Sequence, residues 1–175
     1  MVHLYTGEGK GKTSAAIGIC IRAAGWNRQI CFAQFMKGND TGEVHVLESL
    51  PAVTVLRSRK NFGFYHSMSG DDKAELTDIH NEILDRILEI AESGKCDMII
   101  LDEVTYPVKW NLLDMEKLQR LLEMGKGESA GKMELVLTGR GAEDVLSDAA
   151  DYITEMVCVR HPFEKGVKAR KGIEF

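Results

Sequence analysis

The sequence lacks the features that mark several large classes of protein. No apolar run approaches the roughly 18 residues that a membrane-spanning helix needs. Only 3 of the 175 residues are proline, and there is no serine- or glycine-rich tract, which excludes a linker-rich or disordered chain. The first residues, MVHLY, carry neither a charged segment nor a long apolar one, so we expect no signal peptide. These absences predict a globular protein that does not enter a membrane.

Cysteine and histidine are too scattered to suggest a metal centre of their own. The 4 cysteines form no C-x-x-C pair, whereas zinc sites usually contain closely spaced ligands. Each cysteine lies within or beside an apolar run, so we interpret them as small buried side chains in a reducing cytoplasm. The 5 histidines show no clustering either.

The balance of charge excludes a further class. Lys and Arg number 22 against 27 Asp and Glu, which gives a net charge of −5. A protein that coats nucleic acid is usually basic, so we expect no nucleic-acid partner. The hydrophobic fraction of 44% and the charged fraction of 28% are ordinary for a globular protein. The length predicts a single domain over residues 1–175.

Short apolar runs alternate with longer amphipathic ones along the chain. The predicted strands are residues 2–5, 29–36, 53–56, 97–101, 133–137 and 152–159. The predicted helices are residues 14–24, 43–50, 71–93, 114–124 and 143–146. Gly94 is predicted to end the third helix, and Asp114 to cap the fourth. Apolar strands separated by helices indicate a mostly parallel sheet that is covered on both faces, and hence an α/β domain of about six strands.

A glycine-rich segment, TGEGKGKT at residues 6–13, directly follows the first strand and opens the first helix. Glycines in this position let successive backbone N–H groups point at a bound anion, and the helix N-terminus adds a positive partial charge. The segment therefore predicts a phosphate-binding loop, with Lys12 on phosphate oxygens and the Thr13 hydroxyl on Mg²⁺. It departs from the usual pattern G-x-x-x-x-G-K-[ST] because Thr6 stands at the first glycine. The predicted nucleotide-binding residues of this loop are Thr6, Gly7, Glu8, Gly9, Lys10, Gly11, Lys12, Thr13 and Ser14.

Charged residues follow other predicted strands. Asp102 and Glu103 end the apolar run IIL, and because ligands bind beyond the carboxyl ends of parallel strands, we expect both near Thr13 and the metal ion. Arg140, between two glycines, is predicted to bind phosphate bidentately. Lys37 follows the second strand and Arg22 lies on the first helix. Each of these three cations is alternatively an ordinary surface charge.

The stretch FGFY at residues 62–65 places three aromatic rings within four residues on a predicted loop. Such a loop is too apolar for a solvated turn. One interpretation is that one or two of the rings hold the loop against the core.

Several of these segments together resemble the ATP:corrinoid adenosyltransferases of the CobA/BtuR/CobO type, over nearly the whole chain. The resemblance rests on the loop at residues 6–13, FMKG at 35–38, LDEVTY at 101–106, LTGRG at 137–141, and the tail with HPF at 161–163, GVKA at 166–169 and GI at 172–173. The family also has a residue other than glycine where Thr6 stands. The resemblance implies a P-loop NTPase-like (RecA-like) fold.

The resemblance also implies a reaction. The family transfers the 5′-deoxyadenosyl group of ATP to the cobalt of a corrinoid (cobalamin or cobinamide) that has been reduced to Co(I), and inorganic triphosphate leaves. It implies Mg²⁺ or Mn²⁺ at Thr13, Asp102 and Glu103, and triphosphate binding by Lys12 and Arg140. The nucleotide is thought to lie reversed relative to ordinary P-loop ATPases. Phe62 and Phe64 resemble an aromatic pair that packs on the corrin and displaces the lower axial ligand of Co(II).

The resemblance raises two expectations about segments near the ends. Many relatives carry some two dozen residues before the first strand, including a helix that closes over the active site, whereas here the strand begins at Val2. A homodimer in which the partner subunit covers the site is one hypothesis, and a flavodoxin-like reductant is implied. The tail, residues 160–175, has 5 Lys or Arg and 2 Glu, a net of +3, and is either solvated or faces the nucleotide or corrinoid.

Three other functions stay open at this stage. A P-loop nucleoside kinase moves the γ-phosphoryl group and releases ADP. A recombinase-like ATPase binds DNA, against which the net charge argues. A nucleotide-binding regulatory protein performs no chemistry.

Overall fold

The computed structural model describes residues 1–126 and 133–174, so that Phe175, the last residue of the basic tail, lies outside them. The strands are β1 Val2–Thr6, β2 Ile30–Gln34, β3 Val53–Arg57, β4 Met98–Asp102, β5 Glu134–Thr138 and β6 Tyr152–Glu155. The helices are α1 Lys12–Ala24, α2 Gly42–Glu48, α3 Gly70–Glu92, α4 Thr105–Lys109, α5 Met115–Met124 and α6 Asp144–Ser147. Short 3-10 turns lie at Tyr65–Ser67 and Pro162–Lys165.

All pairings between these strands are parallel, and the order across the six-stranded sheet is β3-β2-β4-β5-β1-β6. The prediction of a P-loop NTPase-like α/β fold with a mostly parallel sheet is therefore confirmed. β1 lies beside β5, and β5 separates it from β4.

The two faces of the sheet pack against different helices, as the apolar strands predicted. Ile99 and Leu101 of β4 belong to a core that includes residues of α3, α5 and α6. Met98 and Ile100, which alternate with them, belong to a second core with residues of α1 and α2. Strands β2 and β4 are buried along their whole length. The sheet is thus a rigid support between two helical layers.

The helix ends follow the capping signals in the sequence. Asp114 caps α5 as predicted, with its side chain accepting hydrogen bonds from the amides of Glu116 and Lys117. Ser69 caps α3 in a reciprocal capping box with Asp72. Gly94 follows the end of α3 with a φ of 66°, the left-handed conformation expected just past a helix.

Two elements differ from their predictions. β6 ends at Glu155 rather than at residue 159 because its pairing with β1 stops there, and all four of its residues are exposed. α4 was not predicted, since TYPVK at residues 105–109 shows no helical periodicity. Its proline lies in the first turn, where the missing N–H costs no hydrogen bond.

Parallel strands bring their carboxyl ends to one edge of the sheet. The glycine-rich loop follows β1, Lys37 follows β2, Glu103 follows β4, and Arg140 follows β5. The fold therefore gathers most of the predicted site residues at this edge.

Across the described segments, no helix has the length and apolar character needed to cross a membrane.

Candidate functional site

The glycine-rich loop turns from β1 into α1 and packs against the chain that follows β6. The amide of Gly9 donates a hydrogen bond to the carbonyl of Met156 at 2.6 Å. A Cβ added at Gly7 or Gly9 would lie 2.6 Å from that same oxygen, which is closer than a real Cβ approaches. Gly7 also has a φ of 93°. Glycine is therefore required here by close packing as well as by backbone conformation.

Lys12 lies folded into this loop and is 7% exposed. Its Nζ donates hydrogen bonds to the carbonyls of Gly7 at 2.6 Å and Gly9 at 2.8 Å. Burial lowers the pKa of Lys12, and the positive charge of Arg140 lowers it further. The ammonium group thus lies at the mouth of the loop with its charge incompletely compensated, which favours an anionic ligand.

Asp102, the last residue of β4, is fully buried and accepts four hydrogen bonds. Its Oδ1 accepts from Thr13 Oγ1 at 2.9 Å and from Thr138 Oγ1 at 2.7 Å. Its Oδ2 accepts from Gln34 Nε2 at 3.1 Å and from Lys37 Nζ at 3.2 Å. These four hydrogen bonds offset the energetic cost of burying a carboxylate. The expected proximity of Asp102 to Thr13 is present in the structure.

Lys37 and Glu103 complete this charged cluster. Burial alone would lower the pKa of Lys37, but the carboxylates of Asp102 and Glu103 together raise it. Burial raises the pKa of Glu103. The charge of Lys37 opposes this rise, and the charge of Asp102 adds to it.

The backbone is strained at two residues of the site. Met36 and Glu103 have positive φ angles of 58° and 61°. This conformation costs a non-glycine residue energy, and it concentrates at functional sites.

The ammonium group of Lys37 marks a position suited to a cation. It lies 3.2 Å from Asp102 Oδ2, 3.4 Å from Thr13 Oγ1 and 3.5 Å from Glu103 Oε1. Carboxylate and hydroxyl oxygens are ligands that Mg²⁺ prefers, so the donor set fits this ion once Lys37 moves aside. Among the residues with a described structure, no three His, Cys, Asp or Glu side chains converge, so further ligands would come from water or phosphate.

Arg140 follows β5 on the opposite side of the loop. Its Nη1 lies 3.3 Å from Glu8 Oε2, and both side chains are at least half exposed, so this ion pair is weak and leaves the guanidinium available. The preceding Gly139 has a φ of 148° and packs against Thr105, which a Cβ at Gly139 would overlap. This contact joins the TGRG and DEVTY segments at the site.

A cavity of about 280 Å³ lies over the loop, lined by residues that include Lys12, Thr13, Lys37, Glu103 and Arg140. The end of the tail closes one side, where Ile173 and Glu174 also line the cavity. Glu174 pairs with Lys10 at 3.1 Å and with Arg170 at 3.1 Å. The tail therefore lies against the predicted nucleotide side, and the group that contacts the loop is an acid rather than one of its basic residues.

Arg22, a predicted binding residue, does not line this cavity. It lies in the last turn of α1, roughly 15 Å along the helix from Lys12 at 1.5 Å per residue. Its side chain lines a different cavity with Trp26, Arg28 and Asp97. The helix continues straight away from the loop, so the side chain cannot bend back.

The aromatic loop, defined as residues 61–64, lies between β3 and the turn Tyr65–Ser67. Phe62 is partly buried and packs on a small cluster with Met68, Leu76 and Leu112. Phe64 is 87% exposed. Phe62 therefore holds the loop against this cluster, whereas Phe64 faces solvent, and contact with a ligand stays a prediction.

Sequence reasoning missed several residues that shape the site. Gln34 and Thr138 bond Asp102, and Gln34 could have been noticed as a polar residue within the apolar run QICFAQFM. Tyr106 follows the DEVT segment, and its phenol has a pKa raised by burial and by Glu103. Trp110 stacks on Tyr65, a contact between distant segments that leaves no signal in the sequence.

Known proteins match this chain along its full length. A family described as ATP:corrinoid adenosyltransferase BtuR/CobO/CobP matches residues 1–175. A corrinoid adenosyltransferase of Escherichia coli (strain K12) is 30% identical over 176 residues, covering 100% of this chain and 85% of the relative. The corrinoid adenosyltransferase CobA of Salmonella typhimurium is 32% identical over 180 residues, with coverage of 100% and 85%. The chain therefore belongs to the ATP:corrinoid adenosyltransferase family, a family of enzymes.

Proposed function

We propose that this enzyme transfers the 5′-deoxyadenosyl group of ATP to the Co(I) ion of a corrinoid and releases inorganic triphosphate, in adenosylcobalamin biosynthesis or salvage. The observation that carries the proposal is the hydrogen bond between Thr13 and Asp102. It joins the phosphate-binding loop to the acidic end of β4, at the edge of the sheet from which the aromatic loop also projects.

In the proposed reaction, the protein itself forms no covalent bond to either substrate. The electron pair of Co(I) forms the new bond to C5′, the C5′–O bond breaks, and its electrons leave on the triphosphate, so that cobalt becomes Co(III). Since cobalt is the nucleophile, no side-chain nucleophile is needed. The protein has to align C5′ with cobalt and stabilise the charge on the leaving triphosphate.

The second of these tasks falls to the phosphate-binding loop. The amides of residues 7–13 and the ammonium of Lys12 would hold the triphosphate, and Arg140 would bind it from the β5 side. Thr13, Asp102 and Glu103 would hold Mg²⁺ or Mn²⁺, which when bound neutralises part of the triphosphate charge. Lys37 would leave the carboxylates and turn to the phosphates. Thr6, Glu8, Lys10 and Ser14 complete the nucleotide-binding set.

Alignment falls to the aromatic loop. With the nucleotide reversed relative to ordinary P-loop ATPases, the adenosyl end faces the corrinoid. Phe62 and Phe64 would pack on the corrin and displace the lower axial ligand of Co(II). Losing that donor raises the Co(II)/Co(I) potential, because the ligand stabilises the oxidised state more. The 87% exposure of Phe64 supports this role.

We further propose that the enzyme works in the cytoplasm as a homodimer and receives electrons from a flavodoxin-like protein. The free thiols of Cys20, Cys31, Cys96 and Cys158 support a reducing compartment. The exposed apolar residues of β6, Tyr152 and Ile153, support a partner at that edge. A fully active monomer would remove the dimer from this proposal.

Product analysis tests the reaction. The protein is incubated with ATP, Mg²⁺ and chemically reduced cob(I)inamide, and the phosphates are separated by ion-exchange chromatography. We expect triphosphate in equal amount to the adenosylated corrinoid. ADP without triphosphate would indicate a kinase instead and would sink the proposal.

A further inference from the structure

Three aromatic side chains from two separate segments form a continuous contact at the site. The ring of Tyr65 stacks on that of Trp110, with centroids 4.1 Å apart and planes 4° from parallel. Tyr106 stacks on Trp110 as well, at 5.2 Å and 25°. We call Tyr65, Trp110 and Tyr106 the ring stack. Stacked rings hold each other more firmly than their buried area alone implies.

The ring stack reaches the nucleotide side at one end. Tyr106 lies one helical turn before Trp110, in α4, directly after the acidic end of β4. Burial raises the pKa of its phenol, and the carboxylate of Glu103 raises it further, while Arg140 acts in the opposite direction. Thr105, the residue before Tyr106, packs against Gly139, the residue before Arg140, so this end of the ring stack lies beside the strand end that carries Arg140.

The other end of the ring stack holds the aromatic loop. Tyr65 directly follows Phe64, and Trp110 packs with Phe62 in the same small cluster. In the described part of the chain, the backbone hydrogen bonds of the loop are local, from the Gly63 amide to Asn61 Oδ1 and from the Ser67 amide to the Phe64 carbonyl. Side-chain packing thus decides where the loop lies relative to α4.

We propose that Trp110 is a positioning residue for the corrinoid. By stacking on Tyr65, it fixes Phe62 and Phe64 at a set distance from the end of β4, beside which the proposed nucleotide site lies. The inference rests on the proposed function, in which Phe62 and Phe64 contact the corrin. Trp110 is partly buried and lies outside the two cores that flank the sheet, so part of its surface stays open beside the aromatic loop.

Two substitutions at Trp110 separate stacking from bulk. Trp110→Phe keeps a ring, and Trp110→Leu keeps apolar volume without one. We expect Trp110→Leu to raise the Kd and the KM for cobinamide about tenfold, since an aromatic pair is worth up to roughly 1.5 kcal/mol, with the KM for ATP unchanged. Trp110→Phe should restore most of the affinity. Equal losses toward ATP and cobinamide would overturn the proposal.

A double-mutant cycle asks whether Trp110 acts through the loop. If it does, Trp110→Leu adds little to the loss already caused by Phe62→Ala, because the two changes remove one interaction. Independent, additive losses would overturn the proposal. Tyr65→Leu, which breaks the same stack from the loop side, gives a second cycle should Trp110→Leu fold poorly.

Binding is measured apart from turnover. The chain has 2 tryptophans, so Trp26→Phe leaves Trp110 as the single tryptophan, and cobinamide binding beside it should quench the tryptophan emission. Kd values for the other variants come from equilibrium dialysis. A wild-type protein that binds cobinamide but forms no adenosylated product would sink the proposed function, while the Kd ratio of the Trp110 variants would still decide this inference.

Discussion

The two halves of the site are built in opposite ways. On the phosphate half, Asp102 is 0% exposed and Lys12 is 7% exposed, and each is held by several hydrogen bonds. On the aromatic half, Phe64 is 87% exposed, and the loop that carries it depends on packing and ring stacking. Most of the first half is held by hydrogen bonds without a ligand, although Lys37 has to move for a metal ion to bind, whereas the second half is held by side-chain packing.

The difference matches what each half would recognise in the proposed reaction. A triphosphate is a compact set of charges, and preorganised donors in a buried site stabilise it without reorganisation during the reaction. A corrinoid is large and mostly apolar around its ring, and the proposed reaction would present it in more than one oxidation state. Substitutions in the buried network should therefore be severe, while those in the aromatic loop should be graded and specific to the corrinoid.

The largest effect is expected at Lys12. Lys12→Ala removes both a phosphate ligand and the bonds to Gly7 and Gly9, so kcat/KM should fall roughly 10²–10³-fold, as for loss of one transition-state donor. Triphosphate release is the measurement. Lys95→Ala, on an exposed turn at the far end of the sheet, is the control and should leave the rate unchanged. Equal rates for both variants would show that Lys12 has no catalytic role.

The next effect concerns the pH dependence of stability and His80, which lies on α3 and contacts Phe35 and Met36 just after β2. His80 is fully buried and accepts a hydrogen bond from the strained Met36 at 3.3 Å. Burial lowers its pKa from 6.5 to about 4. Below pH 6.5 the histidine therefore takes up a proton more readily in the unfolded chain than in the folded one. The free energy of unfolding should be highest above pH 6.5 and fall by about 3 kcal/mol as the pH is lowered to 4.

Urea unfolding at a series of pH values measures this dependence. His80→Gln keeps an acceptor for the Met36 amide but cannot titrate, so its stability should change less between pH 6.5 and 4 than that of the wild type. If the free energy of unfolding fell equally steeply with decreasing pH in the two proteins, a group other than His80 would control the loss of stability in acid.

A smaller loss of stability is expected at Gly139. Gly139→Ala places a methyl group against Thr105 at a φ of 148°, which should cost about 2 kcal/mol. Gly18→Ala is the matched control, because a Cβ there meets nothing within 4 Å and alanine favours the helix by about 0.5–1 kcal/mol. Thermal unfolding should move the two variants in opposite directions, and a shared direction would contradict the packing described for Gly139.

The smallest and most selective effect is expected at Phe62. Phe62→Ala should bind ATP normally and lose about tenfold in activity when Co(II) has to be reduced enzymatically, the cost of one lost aromatic contact. Activity with chemically prepared Co(I) should survive better. Trp26→Ala, which removes an exposed ring at the far end of α1, is the control. Equal losses in both assays would mean that Phe62 is merely structural.

The sequence predicted which residues of the phosphate half lie close together, because the signals for their positions are local. The glycines and Lys12 lie within eight residues, and the acidic pair directly follows an apolar strand, so the parallel topology alone brings Asp102 to Thr13. The capping roles of Asp114 and Gly94 are local in the same way. For Arg22 the sequence was misleading. A helix that begins at the loop places its later turns, including Arg22, farther from that loop.

The aromatic half was predicted only in part. The three rings of residues 62–65 drew attention, but which ring faces solvent depends on Met68, Leu76 and Leu112, which the fold assembles from three segments. Trp110 lies 45 positions after Tyr65 in the numbering, and no periodicity links the two. Long-range packing of this kind has no local signature, so the ring stack became visible only in three dimensions.

The most direct test of the account follows the bond that breaks. ATP labelled with ¹⁸O in the bridge between C5′ and the α-phosphorus is converted in a single turnover with cob(I)inamide, and the products are analysed by mass spectrometry. Cleavage of the C5′–O bond places all of the label in inorganic triphosphate and none in the adenosylated corrinoid. Label retained in ADP would contradict adenosyl transfer and assign the buried phosphate half to phosphoryl transfer instead.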